Sequence, residues 1–150
     1  MARAIQLSIE NAVSGRGGPF GAVIVKNGSI VAEGANRVTA TNDPTAHAEV
    51  IAIRQACSKL GTFELKDCEL YTSCEPCPMC LGAIYWARLD RIYYGSVAAD
   101  AAKAGFDDSF IYHEIEQPFS ARKIPMIQMM REQALASFRA WMEKPNKVPY

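Results

Sequence analysis

Three things are scarce in this chain of 150 residues: long apolar runs, an excess of either charge, and histidine. Apolar residues make up 49% of the sequence, enough for the core of one domain. They come in short blocks, however, and none approaches the ~20 consecutive residues that cross a bilayer, so no membrane partner is expected. Lys+Arg and Asp+Glu are 16 each. A protein that tracks a phosphate backbone normally carries a basic stripe, because counterion release supplies much of that affinity; no nucleic-acid polymer is therefore expected as a partner. The opening residues MARAIQLSIENAVSG include Glu10 and no apolar stretch ending in a small-residue cleavage site, and read as no signal peptide. Five cysteines is an odd number, with three in one decapeptide, which argues against a disulfide framework and for a reducing, cytoplasmic setting. Any imidazole ligand must come from His47 or His113, the two histidines present.

What is present alternates between helical and extended patterns. Ile5, Ile9 and Val13, with Ala4 and Ala12, repeat at helical spacing and predict a helix over 2–14 with these residues on its apolar face. Two apolar runs flank KNGS, and Asn-Gly tolerates positive φ, so residues 20–38 predict a hairpin. The following segment predicts a helix capped by Thr45 and stopped by Gly61. CELYTS reads as a strand, PCPMCLGAIYWARL as a helix and RIYYGSV as another strand. Residues 100–120 are Ala-rich and then loop-like, PMIQMM reads as a short strand, and REQALASFRAWMEK as a last helix. Strands alternating with helices imply a single α/β domain over 1–150, three layers with a central mixed sheet flanked by helices.

The chemistry concentrates in SCEPCPMCLG, residues 73–82. Zinc takes four soft-sulfur or imidazole ligands in a tetrahedron. Cys77 and Cys80 are three apart, so on a helical turn both sulfurs project from one face. Pro76 suits the first position of that helix. Free N–H groups and the dipole at such a helix start favour the thiolate form. His47, near another helix start in TAHAEV, is the natural third ligand. Three protein ligands leave one position open, as in catalytic sites. Glu49, two residues after His47, then stands beside the metal to carry a proton. Other readings stay open. Cys74, Cys77, Cys80 and His47 could close a structural zinc site, although that leaves Glu49 with no task. The C-x-x-C-x-x-C run is also part of an iron–sulfur pattern, which needs a further cysteine that LGAIYWAR does not offer. Cys57 and Cys68 read as small buried hydrophobes, and His113 as a surface or loop residue.

H-x-E followed by P-C-x-x-C is the signature of zinc deaminases, here HAE and, about thirty residues on, PCPMC. GGPFGAVIVKNGSIVAEGANRV, NDPTAHAEVIAIRQAC, LYTSCEPCPMCLGAIYWAR and DAAKAGFDDSFIY resemble the cytidine-deaminase superfamily, and within it the short zinc-dependent guanine deaminases of bacteria. AGFDDSF is the stretch that discriminates this branch from those acting on transfer-RNA adenosine or on cytosine. The resemblance implies a cytidine-deaminase-like fold, one zinc ion per subunit, and hydrolysis of a purine base, guanine, to xanthine and ammonia. It implies His47, Cys77 and Cys80 as metal ligands, Glu49 as proton carrier and Asp108 as a second acid near the leaving amino group. Asn36 matches the side chain that hydrogen-bonds the base edge, with Phe20, Ala48 and Trp86 around it. It also implies a homodimer whose C-terminal segments cross between subunits, each closing the partner's site with an aromatic residue, here Tyr150. On physical grounds alone Phe20 and Trp86 could equally be core, Asn36 a turn cap, and Asp107 and Asp108 a solvated pair.

Overall fold

The computed structural model describes all residues, 1–150. In chain order its elements are α1 (Ala2–Ser14), β1 (Gly21–Lys26), β2 (Ser29–Ala35), a one-turn α2 (Val38–Thr41), α3 (Ala48–Leu60), β3 (Cys68–Cys74), α4 (Pro78–Trp86), β4 (Arg91–Ser96), α5 (Ala98–Lys103), α6 (Ser109–Glu116), a 3-10 turn (Phe119–Ala121) and α7 (Arg131–Glu143). Two compact units result, Met1–Ser109 and Phe110–Tyr150. No helix is long and apolar enough to cross a membrane.

The first unit is built on one mixed sheet of order β2-β1-β3-β4. β1 runs antiparallel to both β2 and β3, and β3 runs parallel to β4 with α4 as the crossover. The hairpin turn is Asn27–Gly28, both at positive φ (51° and 76°), the geometry that a two-residue turn needs to match strand twist.

Alternation in the strands sorts the side chains into two faces. Ile24 pairs with Ala32 and Leu70, and Ala22 with Gly34 and Thr72, so these residues share one face. That face packs under α3, where Ala48, Ala52, Ile53 and Ala56 join Leu65, Cys68 and Ile84 in one buried cluster. The approach is close: a Cβ on Gly34 would run into the carbonyl oxygen of Ala48. On the opposite face α1 lies against β1, near enough that a Cβ on Gly21 would meet the backbone of Ala4. Arg3 on α1 grips Glu33 of β2 through two parallel bonds, Nε to Oε1 at 2.8 Å and Nη2 to Oε2 at 2.7 Å. Helices on both faces of a mixed sheet make the three-layer α/β/α architecture expected.

Several local expectations are corrected. α1 forms as predicted but buries Ala4, Ser8 and Asn11, while Ile5, Ile9 and Val13 are 41%, 58% and 84% exposed. Ala4, Leu7 and Ser8 close on Gly21, while Ile5, Ile9 and Val13 turn outward. α3 is capped by His47, not Thr45, and does stop at Gly61. Thr45 is occupied with Asp43, whose Oδ1 accepts from its N–H at 2.8 Å and its hydroxyl at 2.7 Å. Pro78, not Pro76, takes the first position of α4. Residues 100–120 hold two short helices, and 125–130 join no strand.

Candidate metal centre

Two helix starts meet at the carboxyl end of β3. His47 is the N-cap of α3 and Cys77 the N-cap of α4, both with extended backbone, and Cys80 follows within the first turn of α4. α3 packs against α4, which brings segments thirty residues apart together. The loop into α4 is held at Glu75: its N–H donates to the Ser96 carbonyl at 2.9 Å, and its carboxylate accepts from the Ala98 N–H at 3.0 Å.

The result is a cluster of three donor atoms. Nδ1 of His47 lies 3.6 Å from Sγ of Cys77 and 3.5 Å from Sγ of Cys80, and all three atoms fall within 4.8 Å of one another. Tetrahedral zinc with ordinary Zn–S and Zn–N bonds demands an S···N separation of about 3.6 Å. The donor set therefore fits one zinc ion in both chemistry and spacing. Cys74 is outside the cluster. It is buried, and its thiol points to the Val97 carbonyl at 3.8 Å, so the closed four-ligand site is not formed. Cys57 and Cys68 sit in or against the core, and His113 is on α6 with Gln117 as its partner at 3.4 Å.

Glu49 is buried beside the cluster without joining it. Its Oε1 accepts from the Thr72 hydroxyl at 2.9 Å, and its Oε2 lies 3.4 Å from Sγ of Cys80. Burial pushes its carboxyl above the ordinary range, against the pull of its hydrogen bonds from its own backbone N–H, Thr72 and Cys80. Hydrogen bonding with Cys80, then with His47, brings the Cys77 thiol down to about 4, whereas Cys80 is pushed up by its interaction with Cys77, by burial and by Glu49. His47 is raised, chiefly by its bond with Cys77. Asp108 is partly buried and raised by that burial, with Cys77 and Asp107 adding to it; it in turn raises His47. Asp108 thus lies in the field of the cluster. Its neighbour Asp107 is spent on a turn, its Oδ1 accepting from the Ser109 N–H at 2.9 Å.

The remaining expected residues divide. Asn36 is buried, and its Oδ1 accepts from the N–H groups of Gly18 and Val38, each at 3.2 Å. With the oxygen so held, the amide nitrogen is turned away as a donor. Phe20 meets Phe106 edge-on at 5.0 Å, tying the mouth of the hairpin to the loop that carries Asp108. Ala48, at the start of α3, is wholly buried, with its carbonyl against Gly34. Trp86 is 63% exposed at the far end of α4, about 9 Å along the helix axis from Cys80. Tyr150 belongs to the second unit.

Two residues escaped the sequence reading. Thr72 touches Glu49 directly. Asn11 donates Nδ2 to the carbonyls of Gly18 and Asn36 at 2.8 and 2.9 Å, fixing the loop around Asn36. The signal for Thr72 is its place on the buried parity of CELYTSC, where a hydroxyl must find a partner. Asn11 has no such local mark.

Comparison with known proteins agrees with this geometry. Residues 1–96 match the model for the cytidine and deoxycytidylate deaminase zinc-binding region. The chain is 60% identical over 148 residues to guanine deaminase of Bacillus subtilis (strain 168), covering 99% of this chain and 95% of the relative. The X-ray structure of guanine deaminase from Bacillus subtilis superposes with a TM-score of 0.97 at 59% identity, again over 99% and 95% of the two chains. A tRNA-specific adenosine deaminase of Agrobacterium fabrum is 49% identical, but over 78 residues, 52% of this chain and 51% of that one. A fold with two helix starts aimed at one point, a histidine and two cysteines at zinc spacing, and a family match that spans all of them lead to one conclusion: this chain belongs to the cytidine and deoxycytidylate deaminase family and carries its zinc-binding site.

Proposed function

We propose that the chain is a guanine deaminase, converting guanine and water to xanthine and ammonia, with residues 1–150 acting as a single deaminase domain. One observation carries the reading: Glu49 stands against a three-donor metal cluster without joining it, in a chain 60% identical over 99% of its length to a guanine deaminase.

His47, Cys77 and Cys80 would hold the ion, and zinc bound there would supply Lewis acidity to the attacking water. Glu49 takes a proton from the water that attacks carbon 2 and delivers it to the adjacent ring nitrogen. The carbon–oxygen bond forms first and makes carbon 2 tetrahedral; the remaining hydroxyl proton then passes to the exocyclic amino group, the carbon–nitrogen bond breaks as the carbonyl forms, and ammonia leaves. Asp108, partly buried and raised, is the second proton carrier at that amino group. Asn36 presents its amide nitrogen to an acceptor on the base edge, and Phe20 lines the slot. Trp86 is a further apolar wall of the slot, and Tyr150 completes it from a second copy of the chain. Support for that homodimer comes from exposed large apolar residues on both units, Tyr85 and Tyr94 on the first, Phe138 and Met142 on the second. Exchange of C-terminal segments places each Tyr150 over the partner's site. Five unpaired thiols, two of them ligands, suit the reducing cytoplasm.

The test is direct. Zinc-loaded protein incubated with guanine should deplete guanine absorbance and release equimolar xanthine and ammonia; no product at micromolar enzyme ends the reading. The partial match to tRNA-specific adenosine deaminases makes a polymer substrate the second reading. It predicts activity that falls steeply with salt, whereas turnover of a neutral base should be nearly salt-independent.

A further inference from the structure

Thr72 is fully buried in β3, on the same face as Leu70 and Cys74. Packing alone does not call for a hydroxyl there: valine has the same shape and favours a strand equally well. A buried hydroxyl must be paired. This one spends its hydrogen on Oε1 of Glu49, 2.9 Å away across the gap between β3 and α3. A carboxylate can only accept, so Thr72 is the donor.

The terminal torsion of a glutamate is broad and roughly two-fold, so backbone placement of Glu49 does not by itself set the plane of its carboxylate. Two contacts do. Oε1 is engaged by Thr72, and Oε2 faces Sγ of Cys80 at 3.4 Å. The first anchors one oxygen on the sheet; the second shows that the other oxygen then points at the metal cluster. Glu49 is buried, so solvent cannot perform this orientation for it.

We propose that Thr72 is a positioning residue of the reaction: its hydroxyl ties down Oε1 of Glu49 and so assigns the proton-carrying role to Oε2. The proposal rests on the reading of Glu49 as proton carrier, and it adds a role for the sheet, whose third strand orients a group supplied by a helix.

Three variants test it, Thr72→Val, Thr72→Ser and Glu49→Gln, each zinc-loaded and compared with the parent in guanine turnover, zinc content and unfolding temperature. Thr72→Val should lower kcat by about tenfold with KM changed by less than about twofold, the pattern of lost orientation in the transition state. Its zinc content should stay at one ion per chain. Thr72→Ser restores the hydroxyl and should bring kcat back to within about threefold of the parent. The proposal is overturned if Thr72→Val keeps the parent kcat, if Thr72→Ser is as impaired as Thr72→Val, or if the loss of kcat follows a loss of zinc. Full activity in Glu49→Gln would instead sink the underlying reading, whatever Thr72 does.

Discussion

A buried carboxylate 3.4 Å from a buried thiol is an unfavourable pair unless a proton or a cation sits with them, and Glu49 with Cys80 is such a pair. A cation held by the three-donor cluster would answer that problem and leave Glu49 free, in the proposed reaction, to accept and release a proton. Glu49→Gln keeps the shape and the acceptor for Thr72 while removing that capacity. It should reduce turnover of guanine by at least about a hundredfold, with one zinc still bound per chain as read by elemental analysis; an active variant would remove Glu49 from the mechanism. At this scale the sequence is most legible where chemistry is local. His47, Glu49, Cys77 and Cys80 lie in two short motifs whose spacing already places the groups. Thr72 and Asn11 act across the fold, on partners 23 and 25 residues away, and no spacing rule reaches them.

Among the elements, the contact that sets the site is the one between β2 and α3. Gly34 lets the start of α3 settle on the sheet, and the cap at His47 begins one residue before Ala48, the residue it touches. Gly34→Ala forces a methyl group into a backbone carbonyl, which cannot swing aside as a side chain can. The expected loss is about 3 kcal/mol of unfolding free energy, measured by denaturant titration, together with weaker metal retention because His47 moves with the helix. A variant of parental stability would show that the contact relaxes freely. The same tightness explains why the helical stripe of α1 pointed the wrong way. Periodicity ranks residues by hydrophobicity, but the close backbone contact at Gly21 fixes which side of α1 faces the sheet, so Ala4 and Ser8 go in while Ile9 and Val13 stay out. PMIQMM looks extended on composition, yet residues 125–130 form no strand and pair with none in the sheet.

For the molecule as a whole, exposed bulk is the outstanding feature. A single chain leaves Trp86, Tyr85, Ile127, Phe138 and Tyr150 largely in water, more than a soluble monomer normally tolerates. Sedimentation at micromolar concentration should therefore give twice the chain mass of 16.5 kDa, and a stable monomer with full activity would refute the exchanged dimer. The alternation of strands and helices made the sheet and its layers readable in advance; the outward face was not, because an apolar residue left at the surface looks in sequence like one meant for the core. The metal cluster has an effect beyond chemistry. Its ligands come from two helix starts thirty residues apart, His47 at α3 and the two cysteines at α4, so a bound ion fastens a long loop that the unfolded chain would otherwise explore. It works as a removable clasp on the architecture, and a preparation's melting behaviour doubles as a gauge of how many of its molecules are loaded.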